Sequence, residues 1–235
     1  MTSGVIMGTV LLEELSFSSV LAHATVLRDV QEYEVAGPTV VVNLTGSDAF
    51  VGHGQSSALP GFSSTILHGG TMTGALLMVI SVEKVPNGEQ IARDLGWADF
   101  YGGEPGLPVL LRSGQDTIGT VRLDPAVVLH QPGLNSGEKT FSVKANLWFS
   151  PAGTDCGIHN RHDFIEVHTQ ISGLGRMQKF TSQEYASLYE DQQLSPGNTN
   201  PVPFCLEREG TFIYPWHQYR ADTDCVWLAL EYHPS

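Results

Sequence analysis

The chain reads as short apolar runs broken by glycine, proline, asparagine and aspartate. "TVVVNL", "ALLMVISV", "PAVVL" and "DCVWLALEY" are brief, β-branched and continuous. That is the pattern of strands buried in a sandwich or barrel. "FSVKANLWFS" predicts a further strand and "PAGTD" the turn after it. Helical periodicity is scarce. "LLEELSFSSVLAHATVLRDVQEYEV" mixes Leu, Glu, Ala and Val at roughly helical spacing, so residues 1–35 are expected to be partly helical. "GEQIARDLGWADFYGG" predicts a short helix or loop. "TSQEYASLYED" predicts a second short helix, opened by a capping box of Thr181 and Glu184. "GTFIYPWHQY" and "DCVWLALEYH" are expected to close the chain as a hairpin around "RADTD". The expected class is all-β with a few short helices.

Length and composition sharpen this. A chain of 235 residues is one large domain or two small ones, and 25 glycines and 13 prolines imply many turns. No repeat or low-complexity tract divides it, and the weakest joint is "QPGLNSGEKT", residues 131–140. We therefore expect an N-terminal part over 1–135, either an extension or a degenerate barrel, and a second part over 136–235. The net charge of -13, with only 12 Lys and Arg, excludes a phosphate-backbone partner. Cys156, Cys205 and Cys225 are too few and too scattered for a disulfide framework and read as core residues. Glu13 and Glu14 interrupt the apolar N-terminus and no basic segment precedes it. A cytoplasmic protein without a membrane span is expected.

The candidate chemistry sits in "CGIHNRHDFIEVHTQISGLGRMQKF", Cys156 to Phe180. Side chains alternate across a strand. A strand from Glu166 therefore places Glu166, His168, Gln170 and Ser172 on one face and Val167, Thr169 and Ile171 on the other. The polar row faces either solvent or a wet cavity. His162 lies just upstream, and His217 lies in the later "YPWHQY".

His162, Glu166 and Gly173 fit the H-x3-E-x6-G portion of the first cupin motif, and His217 stands where the second motif supplies its histidine. On these residues the stretch over 141–235 resembles the cupin superfamily. The first histidine of the family's H-x-H is Asn160 here, with His159 one residue out of register, and the second motif is compressed to P-x-H. The resemblance implies a jelly-roll barrel with a metal held by His162, Glu166 and His217. Two His and one carboxylate with open positions suit non-haem Fe(II); Zn, Mn, Ni or Cu fit the same donors. The implied function is an Fe(II) oxygenase or oxidase acting on a small polar metabolite with O₂. No H-x-D…H plus Arg pattern points to 2-oxoglutarate. The alternatives are a lyase, isomerase or cyclase using Zn or another ion as Lewis acid, and a small-molecule-binding protein without catalysis.

Around that triad, His168 is expected as an acid–base group or as a hydrogen-bond partner of a ligand, with a satisfied core histidine as the plain alternative. Tyr219 shares the face of His217 and is a candidate catalytic hydroxyl. Asn160, Gln170 and Arg176 are the expected substrate contacts, Arg176 as a carboxylate partner. Alternation turns His159, Arg161 and Arg220 outward. His53 and His68 have no well-spaced glutamate near them and are not expected as ligands. The N-terminal half is expected to lack a metal and to serve as scaffold, lid or surface of a homodimer.

Overall fold

The computed structural model of the protein describes residues 11–81, 87–131, 133–134, 136–200 and 204–235. The N-terminal sheet contains β1 (Leu11–Glu14), β2 (His23–Val35), β3 (Thr39–Asn43), β4 (Ala49–His53), β5 (Gln55–Leu59), β6 (Ser64–Leu67) and β7 (Gly70–Ser81). Its order is β1-β2-β7-β3-β6, with β4 joining β7 to β5. A short helix, α1 (Gly88–Asp94), follows, then β8 (Ala98–Asp99), β9 (Leu111–Arg112), β10 (Asp116–Leu123) and the one-turn helix α2 (Pro125–Val128). The rest of the chain supplies β11 (Lys139–Ser150), β12 (Thr154–Asp155), β13 (Ile165–Ser172), β14 (Gly175–Phe180) and β15 (Leu188–Leu194). It ends with β16 (Leu206–Arg208), β17 (Thr211–Ile213), β18 (Trp216–Ala221) and β19 (Cys225–Pro234). No described helix is long and apolar enough to cross a membrane.

Two further antiparallel sheets form the C-terminal barrel. One runs β13-β19-β11-β9-β8, with β10 also on β11; the other runs β12-β18-β14-β15. The first is buried on both faces, and the sequence of β11 shows why. Phe141, Val143, Ala145, Leu147 and Phe149 point one way, into an apolar cluster shared with Val26, Val40, Met78 and Ile80 of the N-terminal sheet. Ser142, Lys144, Asn146 and Trp148 alternate with them and point the other way, toward the second sheet. There Tyr219 of β18 stacks on Trp227 of β19 at 3.9 Å between centroids. The sheet is thus a partition, with a dry core on one side and a barrel interior on the other. This meets the expectation of a mainly β, double-sheet jelly roll. The expected division after residue 135 lies within the chain that builds this sheet, because β9 and β10 precede it and pair with β11.

Four local expectations are corrected. The expected helix within 1–35 is strand over the described part, β1 and β2. The run from Ala24 to Val30 buries Ala24, Val26 and Leu27 against sheet neighbours, and that burial overrides helix propensity. "PAVVL" is helical, not a strand: Asp124 caps it by accepting from the Ala126 N–H at 2.9 Å, with Pro125 in the first turn. "TSQEYASLYED" gives only a 3₁₀ turn at Tyr185–Ser187 before β15, whose residues alternate in burial and pair with β14. Finally, β18 and β19 are not a hairpin. They lie in different sheets, so the "RADTD" turn crosses between them.

Leu147 is fully buried at the partition. We expect Leu147→Ala to cost about 2–5 kcal/mol in urea unfolding, as buried leucine truncations do. Val127→Ala, at a 67% exposed position, should change stability by no more than about 0.5 kcal/mol. Equal effects from the two would show that the shared core is not where the stability lies.

Candidate metal centre

Strand β13 carries Glu166 and His168 on its barrel face, with Ile165, Val167 and Ile171 on the core face. The strand ends in a turn at Gly173, whose φ is +75°. A Cβ there would lie 2.0 Å from the Asp224 carbonyl oxygen, so the glycine of the motif is needed for the chain to pass β19. Upstream, Gly157 (φ +94°) passes under the Tyr101 hydroxyl, which donates to the Cys156 carbonyl at 2.8 Å. His159 then forms an isolated antiparallel bridge with His217 of β18. Residues 160–164 leave the ladder before β13 begins.

That bridge brings three imidazoles together. His159 Nε2 lies 3.1 Å from His162 Nε2, which lies 3.2 Å from His217 Nε2. The three ligand atoms all fall within 4.8 Å of one another. Glu166 closes the group, with Oε2 3.5 Å from His162 Nε2 and Oε1 3.1 Å from His168 Nε2. The other ring nitrogens explain the orientation. His159 Nδ1 donates to the Gly157 carbonyl at 3.0 Å and His217 Nδ1 to the Pro215 carbonyl at 2.9 Å. A neutral imidazole that donates from Nδ1 presents a bare lone pair at Nε2. Bare lone pairs on His159 and His217 flank His162 Nε2 at 3.1 and 3.2 Å, an arrangement that a cation shared by the three nitrogens would satisfy. Metal–nitrogen bonds of about 2.0–2.1 Å subtend separations of this size. The residues fit a divalent ion.

The electrostatics agree. Burial, with His159 beside it, pushes the His217 imidazolium down to about 3. Burial likewise lowers His162, against the pull of Glu166. For Glu166, burial alone would raise the carboxyl. The charge and hydrogen bond of His168, with His162 and His217 beyond, outweigh it and hold the group well below the usual carboxylate range. The lowered His162 and His217 and the ionised Glu166 are in the protonation states that metal ligation requires.

Tyr214 braces this corner. Its hydroxyl accepts from the Glu166 N–H at 2.8 Å and donates to the Phe164 carbonyl at 2.9 Å. The centre opens into a cavity of about 750 Å³. His168 lines it; its Nε2 faces Glu166, and its Nδ1 is buried with no protein partner.

Several expected placements change. His159, expected to point outward, belongs to the cluster, because the strand alternation does not run through 160–164. Arg161, also expected outward, lines the cavity for the same reason. Asn160, Gln170 and Arg176, the expected substrate contacts, do not line it. The Gln170 amide donates to the Ser172 carbonyl, while its oxygen accepts from Tyr219. The candidate catalytic hydroxyl of Tyr219 is thereby tied to Gln170, and only the ring faces the cavity. Arg176 is bound on the far face to Asp222 at 2.6 Å and Asp191 at 3.0 Å. Arg112 and Lys144 were missed altogether: they enter the cavity from β9 and β11 through strand pairing, which no local motif announces.

No protein-family model and no curated protein matches the chain. Among solved structures it is similar to a conserved protein of unknown function from Streptococcus pyogenes, at 16% identity and a TM-score of 0.29, over 40% of this chain and 66% of that one. It is similar to a DMSP lyase structure at 20% identity and 0.27, over 39% of this chain and 38% of that one. It is also similar to salicylate 1,2-dioxygenase from Pseudoaminobacter salicylatoxidans at 8% identity and 0.33, over 91% and 69%. The chain thus spans less than two thirds of the length of the first two. The jelly-roll fold and the histidine cluster are features of the chain's own structure.

Two outcomes follow from this geometry. His217 stays neutral in the folded chain down to about 3, whereas it takes up a proton near 6.5 once unfolded. The metal-free protein should therefore lose stability as pH falls below about 6.5. The depressed carboxyl of Glu166 adds a further loss below about 4.5, its ordinary value. Urea midpoints from pH 7.5 to 4 should show this decline, and His217→Gln should flatten its upper part. A pH-independent midpoint would contradict the burial of a neutral imidazole. Tyr214→Phe leaves the Glu166 N–H unpaired and should weaken metal retention by about 10–100-fold in competition with a chelator.

Proposed function

We propose that the chain is a metal-dependent enzyme that holds one divalent ion through His159, His162 and His217 at Nε2 and through the Glu166 carboxylate. We further propose that with Fe(II) it is a 2-oxoglutarate-independent oxygenase or oxidase of a small polar metabolite. The observation that carries the reading is the convergence of three Nε2 atoms, two of them oriented by Nδ1–H bonds to backbone carbonyls. His159, His162, His217 and Glu166 would hold the ion beside the cavity, where a divalent metal would supply Lewis acidity and, as Fe(II), the means to activate O₂.

The remaining steps fall to the chain's own groups. Glu166 holds its charge against burial because His168 faces it at 3.1 Å. His168 lines the cavity beside Glu166, and a turn of its ring toward a bound molecule would let Nδ1, which is buried and without a partner among the described residues, accept or return a proton. Tyr101, Trp148 and Tyr219 wall the space and exclude bulk water from the reacting end. The same position of His168 favours a second reading, proton transfer beside a Lewis acid, as a lyase or isomerase would use it.

Purified protein should hold about one divalent ion per chain. His162→Ala and His217→Ala should each abolish it, and His159→Ala should weaken it. Anaerobic Fe(II)-loaded protein should give a high-spin iron–nitrosyl signal with nitric oxide. Full zinc occupancy with a silent spectrum would favour the Lewis-acid reading, and full occupancy in His162→Ala would remove that residue from the ligand set. His168→Gln should keep the metal within about 10–100-fold of wild-type affinity while lowering turnover. Unchanged turnover would make His168 a packing residue.

A further inference from the structure

This chain is poor in cations, and seven of those among the described residues are paired. Arg28, Arg93, Arg122, Lys139, Arg176, Lys179 and Arg220 each face a carboxylate within 4.0 Å. Among the described residues, Arg112, Lys144, Arg161 and Arg208 make no ion pair. Three of those four, Arg112, Lys144 and Arg161, line the one cavity that holds the histidine cluster. With a net charge of -13 over the whole chain, carboxylates are available elsewhere for such cations. Unpaired positive charge gathered at a cavity is arranged for an anion that comes from outside.

The apolar lining says what the anion is attached to. Trp148 and Trp227 lie nearly parallel, 8° apart with centroids 6.3 Å apart, and Tyr219 stacks on Trp227 at 18°. Together they form a continuous aromatic wall. Arg112 caps its outer end, 5.5 Å over the Trp148 ring. Strand pairing fixes the relation of this wall to the metal centre. Glu166, Glu231 and Lys144 are successive neighbours across β13, β19 and β11. Two strand spacings put the Glu166 and Lys144 backbones about 10 Å apart. The Glu231 carboxylate between them accepts from His233 at 2.8 Å.

We infer that the cavity receives an organic carboxylate with a planar, apolar body, its negative charge attracted by the unpaired Arg112, Lys144 and Arg161 and its body seated among the aromatic residues that line the space. The inference rests on the reading of the histidine cluster as the reaction centre only for which end of the molecule reacts. It narrows the small polar metabolite to an anion and assigns Arg112, Lys144 and Arg161 the role first expected of Arg176.

The test uses the full chain and three probes, benzoate, phenylacetate and the neutral benzamide, with binding read by tryptophan fluorescence and calorimetry and metal content measured on the same samples. At least one carboxylate should bind at least 10-fold more tightly than benzamide. Arg112→Met and Lys144→Met should each weaken that carboxylate by 5–50-fold and leave benzamide unchanged. Arg122→Met, at a position outside the cavity, is the control. For wild type, raising NaCl from 50 to 500 mM should weaken the carboxylates and spare benzamide, a readout that needs no variant to fold. Benzamide binding as well as the carboxylates, both cavity variants binding like wild type, or no carboxylate binding to metal-replete protein would each overturn the inference. Charge discrimination in a chain that takes up no metal would leave it standing while removing the metal reading. A metal-loaded chain without discrimination would do the reverse.

Discussion

Burial of one sheet on both faces is the constraint from which the rest of this structure follows. A strand between a dry core and a barrel interior must be apolar at every second position and is free at the others. β11 and β13 show the two halves of that rule. Phe141, Val143, Leu147 and Phe149 on one strand, and Ile165, Val167 and Ile171 on the other, belong to the core shared with the N-terminal sheet. Each such side chain contributes about 1.5–3 kcal/mol by leaving water. The backbone of their alternate neighbours is thereby fixed, so that only those side chains remain to be ordered in the interior. Glu166, His168 and Lys144 owe their positions to residues that never touch the cavity.

The metal cluster depends on the same rigidity. Neutral imidazoles with converging lone pairs are an unfavourable arrangement in isolation. It persists because His217 sits in a strand and because the backbone carbonyls of Gly157 and Pro215 fix two of the rings. Tyr214 fixes the backbone at Glu166 in the same manner. The protein thereby holds a group of three histidines that could bind a metal ion.

Much of this was legible in the sequence, and the exceptions have physical causes. The β class followed from short β-branched runs between turn residues. His162, Glu166, Gly173 and His217 stood out because their spacing resembles the cupin motifs. His159 was misplaced because alternation was carried through residues 160–164, where the backbone leaves the ladder for a loop. β2 was misread because a Leu- and Glu-rich segment has helix propensity that tertiary burial of Ala24, Val26 and Leu27 overrides. Arg112 and Lys144 were invisible because their places depend on which strands become neighbours, and pairing between distant segments leaves no local mark. Arg176 looked the better carboxylate partner only until Asp191 and Asp222, 15 and 46 residues away, were found beside it.

Arg161 sits between two of the clustered histidines, on a stretch joined to β18 by the Cys156 N–H, which donates to the Tyr219 carbonyl at 2.9 Å, and by the bridge at His159. A substitution that displaces this stretch would shift one of the cavity's cations together with two of the three clustered imidazoles, whereas Arg112 on β9 and Lys144 on β11 would keep their places.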